Sequence, residues 1–320
     1  MPERPSLAVL MDPLETIKPA KDSTIAMLSA AAQRGCDTWY FGQADLWVRD
    51  GRAIARMRPI EVIAEGKDWY RTGDPVVRPL ARIDAVLMRK DPPFDTEYVY
   101  TTYLLERAEA EGVLVVNRPQ GLRDMNEKVY TAWFPDCCAP TLITRDMDRM
   151  QAFLAEHGRA VCKPLHSMGG RSIFALEQGD MNARVVFETL TGYGQYYAMV
   201  QRYLPEITVS GDARILLVDG EPMPHALARM PGRTDHRGNL AAGATGVARE
   251  LDDRDRWLCS RIGPVMRERG MLFVGLDVIG GFVTEINVTS PTGIRELQAQ
   301  RGHDIAGVLI DAVLGRVTRQ

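Results

Sequence analysis

The chain has 320 residues, enough for about two domains at roughly 100–200 residues each. Its 45% hydrophobic and 25% charged composition is globular, which excludes a disordered tail, a collagen-like fibre and a small disulfide scaffold. Thirty-nine Lys and Arg against 42 Asp and Glu give a net charge of −3, so no global cationic excess is available for a nucleic-acid backbone, and no nucleic-acid partner is expected.

In chain order, residues 7–11 form a short apolar run. It is too short for a signal-peptide core or a membrane span and reads as a buried first strand. Asp22-Ser23 can cap the helix that follows, with Ile25, Leu28 and Ala32 on one face and Gly35 ending it. Strands are expected at 38–41, 85–88 and 113–116. Tyr100, Tyr103, Leu104 and Ala108 mark an amphipathic helix between the last two. Strands alternating with helices imply a mostly parallel sheet. The Pro- and Arg-rich stretch 56–82 has no clear period and receives no assignment.

A helix over 122–134 carrying Lys128 comes next, then a strand at 141–144, a helix at 146–156 and a strand at 160–163. Beyond that the pattern turns antiparallel. Asp219-Gly220 joins 215–218 to 226–230 as a hairpin turn would, a long helix at 253–269 stops at Gly270, and two strands follow. The last helix shows Ile305, Leu309, Ala312 and Val313 on one side. Five scattered cysteines without a C-x-x-C pair fit reduced thiols, so a cytoplasmic protein with no membrane partner is expected.

Neither a P-loop nor a dinucleotide fingerprint is present. The strongest local signal is 275–287, two strands around a glycine turn, with Glu285 and Asn287 two apart on one face. A three-residue loop, 280–282, brings Asp277 opposite Glu285 and gathers Leu276, Val278, Ile286 and Val288 on the apolar face; the hydrophobic pattern selects this register. Two carboxylates and an amide oxygen then converge, an oxygen-only set suited to Mg²⁺ shared with phosphates; an exposed polar hairpin face is the plainer alternative. Lys163, at the end of an apolar strand and followed by Gly169-Gly170, offers a point charge and approachable N–H groups, which suit polyphosphate. Residues 230–245 hold glycines and two arginines without periodicity and read as a lid, with Arg214 and Arg229 on the flanking strands. Ser290-Pro291-Thr292 reads as the cap and first turn of a helix from Ile294, whose amides favour a carboxylate or phosphate.

These residues, together with Met88-Arg89-Lys90-Asp91-Pro92-Pro93, Asn117-Arg118-Pro119-Gln120, Arg237-Gly238-Asn239-Leu240 and Asn287-Val288-Thr289-Ser290-Pro291-Thr292, resemble the prokaryotic glutathione synthetases, which are ATP-grasp ligases. The resemblance runs nearly end to end. It implies an α/β fold: an amino-terminal, mostly parallel sheet domain for substrate (1–122), then a two-lobed ATP-grasp fold with a central lobe (123–204) and a carboxy-terminal lobe (205–320). It further implies ligation of γ-glutamylcysteine to glycine through an acyl phosphate, with ATP becoming ADP and phosphate, and a homo-oligomer of tetrameric type.

Carried over by position, Lys128 and Lys163 hold ATP phosphates near Gly169 and Gly170, and Gln201, Arg202, Tyr203 and Leu204 form the adenine hinge. Asp277, Glu285 and Asn287 hold Mg²⁺, for which Mn²⁺ can substitute. Arg214, Arg229 and Arg237 stabilise the transferring phosphoryl, and Asp12, Arg89, Ser290 and Thr292 face the substrate. The chain departs from the family pattern with His166-Ser167 in place of Asp-Gly and Arg202 in place of Asn. Another ATP-grasp carboxylate–amine ligase, joining D-alanines or adding glutamate to a peptide, is the alternative, and a catalytically dead nucleotide sensor is a third.

Overall fold

In the computed structural model, which describes residues 4–63, 68–230 and 245–317, three sheets succeed one another along the chain. The first begins with β1 (Ser6–Leu10), followed by α1 (Ser23–Gln33) and β2 (Asp37–Phe41). Leu7 to Leu10 are all buried, the continuous apolar run of a strand covered on both faces, and β1 pairs in parallel with β2. Asp22 caps α1, its Oδ1 accepting from Thr24 N at 2.6 Å.

The unassigned stretch is also sheet. A short β3 (Leu46–Arg49) leads into the eleven-residue β4 (Arg52–Val62), which carries β5 (Tyr70–Thr72) and β6 (Val76–Pro79), all antiparallel to it. Its alternation is present, with Ala53, Ala55 and Met57 buried between exposed Arg52, Arg56 and Arg58. Alanine and methionine carry the apolar positions, so the period is there without strand-forming side chains.

β7 (Ala85–Met88), α2 (Thr96–Glu109) and β8 (Leu114–Val116) complete the parallel part, in the order β3-β4-β2-β1-β7-β8. The buried face of α2 is Tyr98, Thr101, Thr102, Leu105 and Ala108, not the face expected from Tyr100 and Tyr103, both about half exposed. The expected helix over 122–134 does not exist as one piece. α3 (Pro119–Asp124) ends early, and Asn126 Oδ1 accepts from Lys128 N and Val129 N, starting a separate 3₁₀ turn over Val129–Trp133.

The second sheet contains β9 (Thr141–Thr144), β10 (Arg159–Pro164), β11 (Phe174–Glu177) and β12 (Ala198–Arg202), all antiparallel, in the order β11-β10-β12-β9. Two helices, α4 (Met147–His157) and α5 (Ala183–Thr191), close its apolar face.

The third sheet contains β13 (Asp212–Val218), β14 (Glu221–Met230), β15 (Thr245–Glu250), β16 (Phe273–Ile279) and β17 (Phe282–Asn287), in the order β15-β14-β13-β16-β17. Asp219 and Gly220 make the β13–β14 turn with φ of 52° and 77°, the two left-handed residues a type I′ turn requires. The long helix α6 (Asp253–Glu268) starts in a reciprocal Asp252–Asp255 capping box. Two helices, α7 (Ile294–Arg301) and α8 (Ile305–Val317), return to the first sheet, where α8 packs on α1. Among the described residues no helix is long and apolar enough to cross a membrane.

The β16–β17 hairpin reaches the expected pairing by a different route. Asp277 faces Glu285 and Gly275 faces Asn287, but the turn is the two-residue Gly280-Gly281, both with positive φ. The register shifts between Asp277 and Val278, which leaves Thr284 as the extra residue of a bulge. One inserted residue has the same effect on alternation as a longer loop, so the apolar faces of both strands still meet.

Candidate active site

The carboxylate pair of this hairpin faces the end of β10. Lys163, the fifth residue of β10 and buried, donates from Nζ to the Thr284 carbonyl exposed at the bulge (3.2 Å) and lies 3.5 Å from Glu285 Oε1. Lys128, freed from any helix, places its Nζ 3.6 Å from the same oxygen and donates to the Ser167 carbonyl at 2.7 Å. That bond ties down the loop between β10 and β11 through its backbone. Further along the loop, Met168 to Arg171 form a turn closed by Arg171 N donating to Met168 O, with Gly169 and Gly170 at φ of 63° and 79°.

Asp277 is gripped from β13 and β14. Arg214 donates from Nε and Nη2 to its two oxygens at 2.6 and 2.8 Å, and Arg229 Nη2 lies 3.0 Å from Oδ2. Arg229 also binds Asp212 Oδ2 at 2.5 Å, while Asp212 Oδ1 is buried without a partner. Asp212 belongs to this constellation, and sequence reasoning missed it. Its only signal is its position two residues before Arg214, on the same face of one strand.

Four cations (Lys128, Lys163, Arg214, Arg229) thus interlock with three carboxylates (Asp212, Asp277, Glu285), leaving a buried net charge of +1. Burial works against the charge on Asp277, but Arg214 and Arg229 outweigh it and hold that carboxyl well below the ordinary range. Glu285 is lowered in the same way by Lys128 and Lys163. Burial, reinforced by Lys128, lowers Lys163 despite Glu285. Asp212 moves the other way: burial, aided by Asp277, pushes it up to about 6 despite Arg229.

Such a cluster can exchange partners. An incoming polyanion takes the cations, and a hard cation takes the released carboxylates, so neither set is left buried and unpaired. Asn287 Nδ2 donates to Gly275 O at 3.2 Å, so its Oδ1 remains the accepting end on the Glu285 side of β17. Among the described residues no three carboxylate, imidazole or thiol groups are placed to hold one metal ion together. A metal here would therefore rest on two carboxylates and an amide oxygen, a hard donor set that fits Mg²⁺.

The expected hinge lies at the end of β12. Gln201 is buried and donates to Thr141 Oγ1 at 3.0 Å, and the N–H groups of Arg202 and Tyr203 are taken by the Pro140 and Arg159 carbonyls. The Arg202 side chain sits over the Phe282 ring at 5.7 Å, and Tyr203 lies under Arg159. Leu204 is buried, and its carbonyl accepts from Ile207 N.

Ser290-Pro291-Thr292 is not a helix cap. Gly293 at φ 121° is the N-cap of α7, and proline lies outside the helix. The three residues instead form a strap. Ser290 Oγ donates to the Arg89 carbonyl, Pro291 O accepts from Arg89 Nη2 at 3.0 Å, and Thr292 O accepts from Arg214 Nη1. Arg89 is buried, with Thr24 Oγ1 as its other partner and, among the described residues, no carboxylate at ion-pair distance; burial lowers its pKa. Asp12 stands apart from the charged cluster, paired with Lys90 at 2.8 Å and accepting from Asp91 N. Arg237, with residues 231–244 of the expected lid, lies outside the described residues. Met230 and Thr245 at its two ends are directly paired in the β14–β15 ladder.

Two family models match the chain, the prokaryotic glutathione synthetase N-terminal domain over residues 6–123 and the prokaryotic glutathione synthetase ATP-grasp domain over residues 127–302. A glutathione synthetase from Shewanella oneidensis is 53% identical over 311 residues, covering 97% of this chain and 98% of the relative. One from Pseudomonas putida is 53% identical over 307 residues, 96% of each. Among solved structures, the D-cycloserine synthetase DcsG superposes with a TM-score of 0.71 at 15% identity, covering 98% of this chain and 99% of that one; at such identity the likeness concerns the fold.

Proposed function

The chain belongs to the prokaryotic glutathione synthetase family of ATP-grasp ligases, and from that premise we propose how its own residues divide the work. The family reaction joins γ-glutamylcysteine to glycine at the expense of ATP, the cysteinyl carboxylate being activated by phosphorylation before the amine attacks. The observation that carries the residue assignment is the interlocked cluster of four cations and three carboxylates around the β16–β17 hairpin.

Lys128 and Lys163 leave Glu285 and take phosphate oxygens, assisted by backbone groups at Gly169 and Gly170. Arg214 and Arg229 leave Asp277 and steady the charge on the phosphoryl group in flight, with Arg237 as a third cation; positioning and charge neutralisation are most of what phosphoryl transfer asks of a protein. Asp277, Glu285 and Asn287 would hold Mg²⁺, or Mn²⁺ in its place, whose chemistry is to neutralise the phosphates and polarise them. Gln201 to Leu204 receive the base; since Arg202 and Tyr203 have committed their N–H groups, the backbone contact falls to Leu204. Arg89, Ser290 and Thr292 shape the acceptor side, Arg89 acting through the strap, and Asp12 orders the 89–91 segment through Lys90 and Asp91. By the same reading, residues 1–122 form the substrate domain, with the two grasp lobes dividing near 204.

All five cysteines are free, which suits a reducing cytoplasm. Val48, Val77, Tyr100 and Tyr103 on β3, β6 and α2 are exposed apolar surface that a homo-oligomer, tetrameric by the same reading, would cover in part. Phosphate release should require γ-glutamylcysteine and glycine together. Equal release without glycine, or preference for D-alanine or glutamate as the amine, would overturn the assignment of this reaction.

A further inference from the structure

Outside this cluster, two histidines meet ring to ring. His225 Nδ1, in the middle of β14, lies 3.0 Å from His303 Nε2 in the turn between α7 and α8, with ring centroids 4.8 Å apart and planes inclined by 32°. Both side chains are half-buried, so solvent reaches the pair. We propose that His225 and His303 form a two-imidazole binding site for a late first-row divalent transition metal, bridging β14 to the carboxyl end of α7.

The spacing is that of a chelating pair. Two nitrogens bound to one tetrahedral ion at about 2.0–2.1 Å stand about 3.3 Å apart, so a small opening of the present contact admits the ion. A nitrogen–nitrogen hydrogen bond needs one ring to offer a lone pair, and an imidazole must be neutral there to bind a metal. Burial, Arg301 and His303 all lower the pKa of His225, which favours that neutral form, while Glu250, across the ladder from His225, raises it.

Both rings sit on anchored backbone. Gln300 accepts from Ala248 N at 2.8 Å and donates to Gly246 O at 3.0 Å, and Arg301 donates to Ala248 O at 3.1 Å, so the end of α7 is clamped along β15. Gly302 turns the chain at φ 71°, and the His303 carbonyl accepts from Ile305 N. Because no third acid, imidazole or thiol converges here among the described residues, water would complete the coordination. Imidazole donors select Ni²⁺, Zn²⁺ or Cu²⁺ over Mg²⁺ and Ca²⁺, which separates this site chemically from the oxygen set on the β16–β17 hairpin.

Ni²⁺ is the probe, titrated calorimetrically into the full chain with Mg²⁺ in large excess. One saturable equivalent is expected, weakened at least tenfold by either His225→Gln or His303→Gln. In the wild-type protein, Ni²⁺ should broaden the ring resonances of His225 and His303 before those of any other histidine, a readout that needs no variant to fold. Absence of saturable binding, binding undiminished in both variants, or first broadening at another histidine would each overturn the site.

Discussion

Glu285 is shared by two lysines, and that sharing determines what its replacement does. Glu285→Gln removes the charge that separates Lys128 from Lys163 and one of the two carboxylates available to a metal. Turnover should fall by about 100–1000-fold, the usual scale for losing one preorganised electrostatic group at a phosphoryl or oxyanion site. Far-UV circular dichroism checks that the fold survives, and near-normal phosphate release would refute the metal role. Asp212 makes a second, different prediction. Its carboxyl titrates near 6 when folded and near 4 when unfolded, so the folded state binds the proton more tightly. The stability this provides is fully present below pH 4 and lost as pH rises through 6, amounting to about 3 kcal/mol. Asp277, held low by two arginines, contributes in the opposite direction and loses its stabilisation as pH falls below the ordinary carboxylate range. Denaturant unfolding of wild type and Asp212→Asn across pH 4–6 should therefore show the difference, wild type minus variant, declining with pH; a flat difference would refute the shift. Most of the cluster was legible from residue type and motif. Asp212 was not, because a carboxylate is informative only when its neighbours are known to be buried cations.

At the scale of elements, the β16–β17 hairpin shows why the pairing of Asp277 with Glu285 could be read correctly while the turn could not. Hydrophobic alternation determines which faces meet, but a bulge and a longer loop satisfy it equally. The same ambiguity applies to β4, whose alternation is carried by alanine and methionine, and to α2, where half-exposed Tyr100 and Tyr103 drew attention to the wrong face. α6 offers a test in which local preference and packing oppose each other. Alanine in place of Gly263 would gain about 1 kcal/mol of helix propensity. A Cβ there, however, would stand 2.0 Å from the Gly220 carbonyl oxygen at the β13–β14 turn, where backbone has little room to move. Overpacking costs about 1–3 kcal/mol, so Gly263→Ala should lower stability in denaturant unfolding. An increase would show that the α6–turn contact yields freely.

At the scale of the whole molecule, the first and third sheets are parts of one body. A single apolar cluster contains Ala8, Val86 and Leu105 together with Ile215, Leu258 and Ile286. Polar clamps reinforce it: Asn117 Nδ2 donates to both the Phe273 and Val288 carbonyls, its Oδ1 accepts from Phe273 N, and Glu127 Oε1 accepts from the N–H groups of Val288 and Thr289. The second sheet has its own small core, drawn only from residues between Leu142 and Val200. Native-state hydrogen exchange should therefore show amides of β9, β10 and β12 opening together, at lower free energy than those of β1, β7, β13 and β16. Uniform protection across all three sheets would contradict this.

Period, capping residues, turn dipeptides and composition, each a property of a few neighbouring residues, determined a globular α/β chain, its strands at 85–88 and 141–144, the hairpin turn at Asp219-Gly220 and the carboxylate face of the last hairpin. What the tertiary structure alone decided is which charges neutralise which. Lys128 reaches Glu285 across 157 residues, Lys163 across 122, and Arg214 reaches Asp277 across 63. A buried ion pair depends on distance and dielectric, and neither exists until the sheets that bring these residues together have formed.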